Sequence, residues 1–177
     1  MTTRVLFVHG AGEGTFEGSE ALVQSLRDSL GDGFEVDYPA LPDEDEPDPR
    51  EWSRIIQEQS DGAIVVAHSV GASIALRHFS ETGGENLLSL VSIAAPYWGG
   101  DGWHYDGFEA LTLPHTPLIV SPLIMFHGRD DEVVPVEHLT LFAAAFPSAV
   151  THVIEGVGHD LGNDASVVAR SIRELVT

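Results

Sequence analysis

Three short stretches of the chain combine a reactive side chain with small neighbours: AHSVG at 67–71, HGRDDEVVP at 127–135 and GVGH at 156–159. A serine hydroxyl becomes a strong nucleophile only when a base takes its proton, and an imidazole base works best when a carboxylate orients it. Ser69 lies between an apolar run, AIVVA, and a second one, ASIAL, with no loop residues between them. The first run reads as a buried strand and the second as the start of a helix. A serine at so abrupt a turn is held in a strained backbone conformation with its hydroxyl outward, and the residues two before and two after it must be small. Ala67 and Gly71 meet that demand. The turn also sets Ser69 at a helix N-terminus, where backbone N–H groups favour a developing negative charge. His159 follows Gly156 and Gly158, which give its loop the freedom to return over a sheet. Asp130 and Asp131 both stand just past an apolar strand and are both candidates for the orienting acid.

The elements that must bring these groups together are legible as apolar runs alternating with helical stripes. Residues 5–8, 34–38, 63–67, 90–94, 123–126 and 150–154 are rich in Val, Ile and Leu without polar alternation. Such strands are covered on both faces, as in a parallel sheet. Leu22, Leu26 and Leu30 make one helical stripe, with Ser19 as N-cap and Gly31 as stop. Leu139, Phe142, Ala143 and Phe146 make another, closed by Pro147, and Val168, Ile172, Leu175 and Val176 a third, capped by Asn163 or Asp164. Repeated strand–helix units imply an α/β fold: a three-layer sandwich around a mostly parallel sheet of about six strands, with right-handed crossovers. No internal repeat or long linker divides residues 1–177, so a single domain is expected. The acidic, Pro-rich segment 42–49 reads as a solvated loop. In an open parallel sheet ligands bind beyond the carboxyl ends of the strands, which is where Ser69, the two aspartates and His159 fall.

Composition removes several function classes. The formal charge is −20, from 28 acidic and eight basic side chains, and every basic one is Arg. Such a surface repels phosphate backbones and anionic lipid, so neither nucleic acid nor membrane is an expected partner. A GC-rich genome or adaptation to salt would each produce this acidic, lysine-free composition. The absence of cysteine excludes disulfides, thiolate metal sites and a cysteine nucleophile. No H-x-x-x-H or H-E-x-x-H spacing occurs, so neither a metal nor another cofactor is expected. The opening MTTRVLFVHGAG reads as a first core strand rather than a signal peptide, and no apolar run is long enough to span a membrane, so a cytoplasmic location is expected.

Taken with HGAG at 9–12, the three motifs stand in an order that resembles α/β-hydrolase fold proteins, and the resemblance runs over nearly the whole chain. It implies a Ser69, Asp131, His159 triad, because the acid of that family occupies the fifth position of H-G-x-x-D-x-x-V-P. It also implies an oxyanion hole from the N–H of Ala11, with Gly12 as alternative, and of Val70. His9 and His127 would brace neighbouring loops, while His68 fills a variable position. Ala67 in place of the first elbow glycine departs from the family pattern, and no strand precedes the HG strand. Members often carry a helical lid where this chain has only residues 96–122, room for one short helix around 105–113. The site is therefore expected to be open. Tyr97, Trp98 and Trp103 are candidate substrate-binding residues, as an apolar wall or as anchors of the loop. Nearby Asp101, Asp106 and Glu109 disfavour anions. The implied activity is hydrolysis of a small neutral carboxylic ester or thioester through an acyl-enzyme. In its compactness the chain is similar to lidless serine hydrolases grouped with retinoblastoma-binding protein nine, although its HG loop lacks their downstream Trp.

Three other readings use the same residues. An acyltransferase would run the same triad with an alcohol or amine in place of water, and a non-catalytic binding protein would keep the fold alone. A dinucleotide site would place Gly10, Gly12 and Thr15 after the first strand with Asp37 on a ribose, but Thr15 stands where a third glycine belongs.

Overall fold

The computed structural model describes residues 2–119 and 121–176; Met1, Val120 and Thr177 lie outside the described residues. Six strands, β1 (Thr3–Val8), β2 (Phe34–Asp37), β3 (Ala63–His68), β4 (Ser89–Ile93), β5 (Leu123–Gly128) and β6 (Val150–Ile154), form one sheet. Its order is β2-β1-β3-β4-β5-β6, and every neighbouring pair is parallel. All six residues of β3 are buried, as the unbroken apolar run requires. From β1 the chain moves to one side to form β2, and then returns to β1's other side to form β3. The connections after β1 and β3 therefore diverge, which makes their carboxyl ends the topological switch point where open parallel sheets bind ligands. That switch point carries the HGAG loop and Ser69.

Helices α1 (Thr15–Gly18), α2 (Glu20–Leu30), α3 (Pro49–Gln59), α4 (Ser69–Thr82), α5 (Glu137–Ala145) and α6 (Ser166–Leu175) connect the strands. Leu22, Leu26, Val168 and Ile172 place α2 and α6 on one face of the sheet, against Phe7, Val66 and Phe126. Trp52, Ile56, Ile74 and Phe142 place α3, α4 and α5 on the other. The result is the expected three layers. Gly31 ends α2 at φ 76, while Ser19 precedes it without a side-chain cap. Asp164 accepts from the Ser166 N–H at 2.9 Å at the start of α6. The α6 stripe stops early: Leu175 and Val176 are exposed, where core positions were expected.

Three further differences involve backbone turns, caps and tertiary contacts that apolar patterning does not encode. Strand β4 ends at Ile93 because Ala94 turns to φ 51, not at residue 94. The helix expected around 105–113 is a single 3₁₀ turn, Glu109–Leu111, preceded by Gly107 at φ 90. The 49–59 helix had no counterpart in the apolar-run reading, yet Asp48 caps it, Pro49 opens it, and Trp52 and Ile56 lie one turn apart on its buried side. Trp52 is fully buried and its Nε1–H donates to the Pro42 carbonyl at 2.8 Å. Trp52→Ala should therefore cost about 3–5 kcal/mol in urea unfolding. A loss under about 1 kcal/mol would mean that the site collapses around the vacancy and that α3 is held elsewhere.

Candidate active site

Strand β3 passes into α4 with no intervening residue. His68 is still extended (φ −117, ψ 138), and Ser69, at φ 55, is already the first helical residue. A non-glycine residue at positive φ stores strain of about 1–3 kcal/mol and persists only where its surroundings hold it. Here the surroundings are the HGAG loop. A Cβ on Gly71 would stand 2.0 Å from the His9 carbonyl oxygen, and one on Gly10 would stand 3.0 Å from the Ser69 Cβ. Glycine at both positions lets the loop after β1 lie directly against the turn after β3.

The structure brings the other two groups to the Ser69 hydroxyl. His159 Nε2 lies 2.9 Å from Ser69 Oγ, and His159 Nδ1 lies 2.8 Å from Asp131 Oδ2. A carboxylate accepts, so Nδ1 carries the proton and Nε2 presents its lone pair to the hydroxyl. Asp131, rather than the exposed Asp130, makes this contact. Its other oxygen, Oδ1, accepts from the Val133 and Val134 N–H groups, each at 2.8 Å. His127 Nε2 donates to the Val134 carbonyl at 2.8 Å and stands 3.2 Å from Asp131 Oδ2. Burial alone would push the Asp131 carboxyl up, but hydrogen bonds from His127, His159 and the Val134 amide outweigh it and hold the group well below the usual carboxylate range. The close approach of the two loops depends on Gly128, where a Cβ would meet the Gly158 carbonyl oxygen at 2.3 Å.

Two backbone amides near Ser69 in sequence or on the facing loop bear on what the site can do, those of Val70 and Ala11. Val70 lies in the first turn of α4, where N–H groups have no partner within the helix. Ala11 has no backbone acceptor among the described residues, whereas Gly12 donates to the Glu44 carbonyl at 2.6 Å. Of the two HG-loop amides considered from sequence, Gly12 is thus engaged. His9 braces the same loop: its Nε2 accepts from the Leu41 N–H at 3.0 Å and its Nδ1–H donates to the Gly10 carbonyl at 2.8 Å. Burial lowers its pKa and favours this neutral form.

The segment 42–49 is more than a solvated loop. Beyond the Gly12 contact, the Glu44 carboxylate accepts from the Gly14 N–H at 2.8 Å and from the Phe16 N–H at 2.7 Å. Nothing in the local sequence marks Glu44, which acts across 28 and more positions. These contacts also answer the dinucleotide reading: the amides that would cradle a pyrophosphate are taken by the protein's own carboxylate, and the helix that follows has only four residues. Asp37 pairs with Arg4 at 3.4 Å.

Tyr97, Trp98 and Trp103 belong to an aromatic cluster on the loop after β4. Trp98 is buried, stacks on Phe108 at 4.8 Å and meets Trp103 edge-on at 5.7 Å. Tyr97 packs on Phe142, and its N–H donates to His138 Nδ1 at 2.8 Å. Ser73 Oγ, on α4, donates to the Pro96 carbonyl at 2.6 Å and ties the start of this loop beside the elbow. Among the described residues the ring partners of these three side chains lie on the same loop and on α5. Trp98 and Trp103 line a cavity of about 180 Å³ with Tyr105, Phe108 and Glu109. Among the described residues no group of three or more His, Asp or Glu is arranged to hold a metal, and no helix is long and apolar enough to cross a membrane.

No curated protein sequence matches the chain. In fold it is similar to the esterase domain of a Rhodothermus marinus protein, at 20% identity over 96% of this chain and 84% of that one, with a TM-score of 0.67. It is similar also to the ydeN gene product of B. subtilis, at 18% identity over 99% of both chains and a TM-score of 0.69. A third likeness is to 2-hydroxy-6-oxo-6-phenylhexa-2,4-dienoate hydrolase from a Rhodococcus species, at 14% identity over 99% of this chain and 90% of that one, with a TM-score of 0.74. Residues 5–118, well over half of the sequence, match the profile of the alpha/beta hydrolase family. With that match, and with the all-parallel six-stranded sheet that carries Ser69 at its switch point, the chain belongs to the alpha/beta hydrolase family.

Proposed function

We propose that this protein is a serine hydrolase that cleaves a small neutral carboxylic ester or thioester. The observation that carries the reading is the unbroken hydrogen-bonded chain from Ser69 Oγ through His159 to Asp131 at a strained strand-to-helix turn. His159 Nε2 takes the Ser69 proton as Oγ attacks the acyl carbonyl, and Asp131 stabilises the imidazolium that forms. The Ala11 and Val70 amides receive the oxyanion. The imidazolium then protonates the leaving alcohol or thiol, and a water activated by His159 releases the acid from the acyl-enzyme. Tyr97, Trp98 and Trp103 offer an apolar wall on the loop beside the elbow, and the exposed carboxylates of Asp101, Asp106 and Glu109 on that loop disfavour anionic substrates.

A fluorophosphonate probe tests the assignment directly. The purified protein should be labelled at Ser69, located by peptide mass spectrometry, and should turn over short p-nitrophenyl esters. Absence of labelling, or labelling at another serine, would reject it.

The Glu44 clamp gives a second test. The Glu44 carbonyl holds the Gly12 amide and its carboxylate the Gly14 and Phe16 amides, so losing the carboxylate leaves the loop that carries the Ala11 N–H tied at one point instead of three. Glu44→Ala should reduce kcat about 10–100-fold with KM little changed, because misplacing a transition-state donor by roughly an ångström has that order of effect. A kcat within about twofold of wild type would show that the loop holds its shape without the carboxylate.

A further inference from the structure

The sequence assigns no task to His68, yet its side chain is buried and meets the backbone of the base. Its Nε2 lies 2.9 Å from the main-chain carbonyl oxygen of His159, and the two imidazoles sit 4.8 Å apart, tilted by 49°. A carbonyl only accepts, so Nε2 carries the proton and Nδ1 is left with a bare lone pair. That Nδ1 is buried and has no hydrogen-bond partner. Buried polar atoms are nearly always satisfied, so an exception needs a compensating role. An apolar side chain would fill the same space without leaving an unpaired nitrogen. What only the imidazole supplies is the Nε2–H bond to residue 159.

We propose that His68 is a positioning residue for the base: through the His159 carbonyl it ties the GVGH loop to the end of β3 and so sets the Ser69–His159 separation. The proposal rests on the serine-hydrolase reading. Asp131 orients the imidazole of His159 from its Nδ1 side, and His68 fixes its backbone, so the ring is held at both ends. Because His68 and Ser69 are consecutive, nucleophile and base are registered against the same stretch of backbone. The ring must stay neutral to serve beside an imidazolium. Burial, then the proximity of His159, pushes its pKa down to about 4; the carboxylates of Asp160 and Asp131 act in the opposite sense but do not reverse the shift. Within the resting range of pH, His68 therefore adds no positive charge next to the base.

Three variants separate positioning from packing. His68→Phe keeps a ring and removes the donor. His68→Gln places an amide N–H near the position of Nε2, and His68→Asn is equally polar but too short. For p-nitrophenyl acetate, His68→Phe and His68→Asn should lower kcat about 10–100-fold with KM within about twofold, and His68→Gln should recover most of the loss. The downfield Nδ1 proton resonance of His159 should broaden in the first two and persist in the third. A wild-type kcat in His68→Phe, equal losses in His68→Gln and His68→Asn, or an unchanged resonance throughout would overturn the proposal; if His68→Phe does not fold, the Gln and Asn pair still decides. The resonance needs no turnover. A wild-type protein that shows it but resists fluorophosphonate would count against the hydrolase reading instead.

Discussion

Replacing Ser69 by alanine should lower kcat for ester hydrolysis by about 10⁶ and abolish fluorophosphonate labelling, if the three groups act as a unit. The size follows from non-additivity. Without the Oγ, His159 has no proton to take and Asp131 has no imidazolium to stabilise, so removing the nucleophile removes their contributions with its own. What survives is the field of the Ala11 and Val70 amides and substrate binding, worth about 10³–10⁴ over water in enzymes of this chemistry. The turn supplies a control for misfolding. Ser69 sits at φ 55, a conformation that alanine tolerates no better than serine but glycine adopts freely. Ser69→Gly should thus be as inactive as Ser69→Ala while unfolding at a higher temperature. A stabilised, inactive glycine variant would separate the cost of the strain from the chemistry it serves. Retention of activity in either variant, after exclusion of contaminating esterase, would remove Ser69 from the mechanism.

Much of this arrangement can be read from residue order because the relevant signals are local. Strand β3 is a six-residue buried run, and the helix that follows begins without a loop, so the elbow is visible in the string AIVVAHSVGASIAL. His159 is reachable because Gly156 and Gly158 precede it. The choice between Asp130 and Asp131 is different. By residue type the neighbouring carboxylates look alike, and only the motif position favours Asp131; the loop's path is fixed in the structure, where Asp131 Oδ1 gathers the Val133 and Val134 amides. Glu44 is harder still, since its contacts with Gly14 and Phe16 span 30 and 28 positions and leave no periodic trace. The aromatic loop misleads for another reason. Spacing around 105–113 permits a helix, but Trp98 recruits Phe108 into a stack, and the backbone takes a single 3₁₀ turn instead. Tertiary demand for aromatic burial overrides local propensity there.

Asp131→Asn is the sharpest test of the orienting role, because the surrounding donors dictate which way the amide turns. The Oδ1 position receives two backbone N–H groups, so the amide oxygen must occupy it. The NH₂ then falls at the Oδ2 position, facing His159 Nδ1. A donor there requires a bare Nδ1, so the proton moves to Nε2, and the imidazole presents N–H rather than a lone pair to Ser69. The base is thereby held in the wrong tautomer with its geometry nearly intact, a change expected to cost about 10⁴ in kcat. Fluorophosphonate labelling should slow in parallel, and a loss below about tenfold would show that Asp131 does not set the tautomer. Stability gives an independent signature. A carboxyl held below its usual range in the folded chain contributes stability above the unfolded pKa of about 3.9, and the contribution fades as pH falls through the lower folded value. The stability gap between wild type and Asp131→Asn should therefore be widest near neutral pH and close under strong acid. A gap that stayed constant into strong acid would mean that the hydrogen bonds at Asp131 do not depend on its charge.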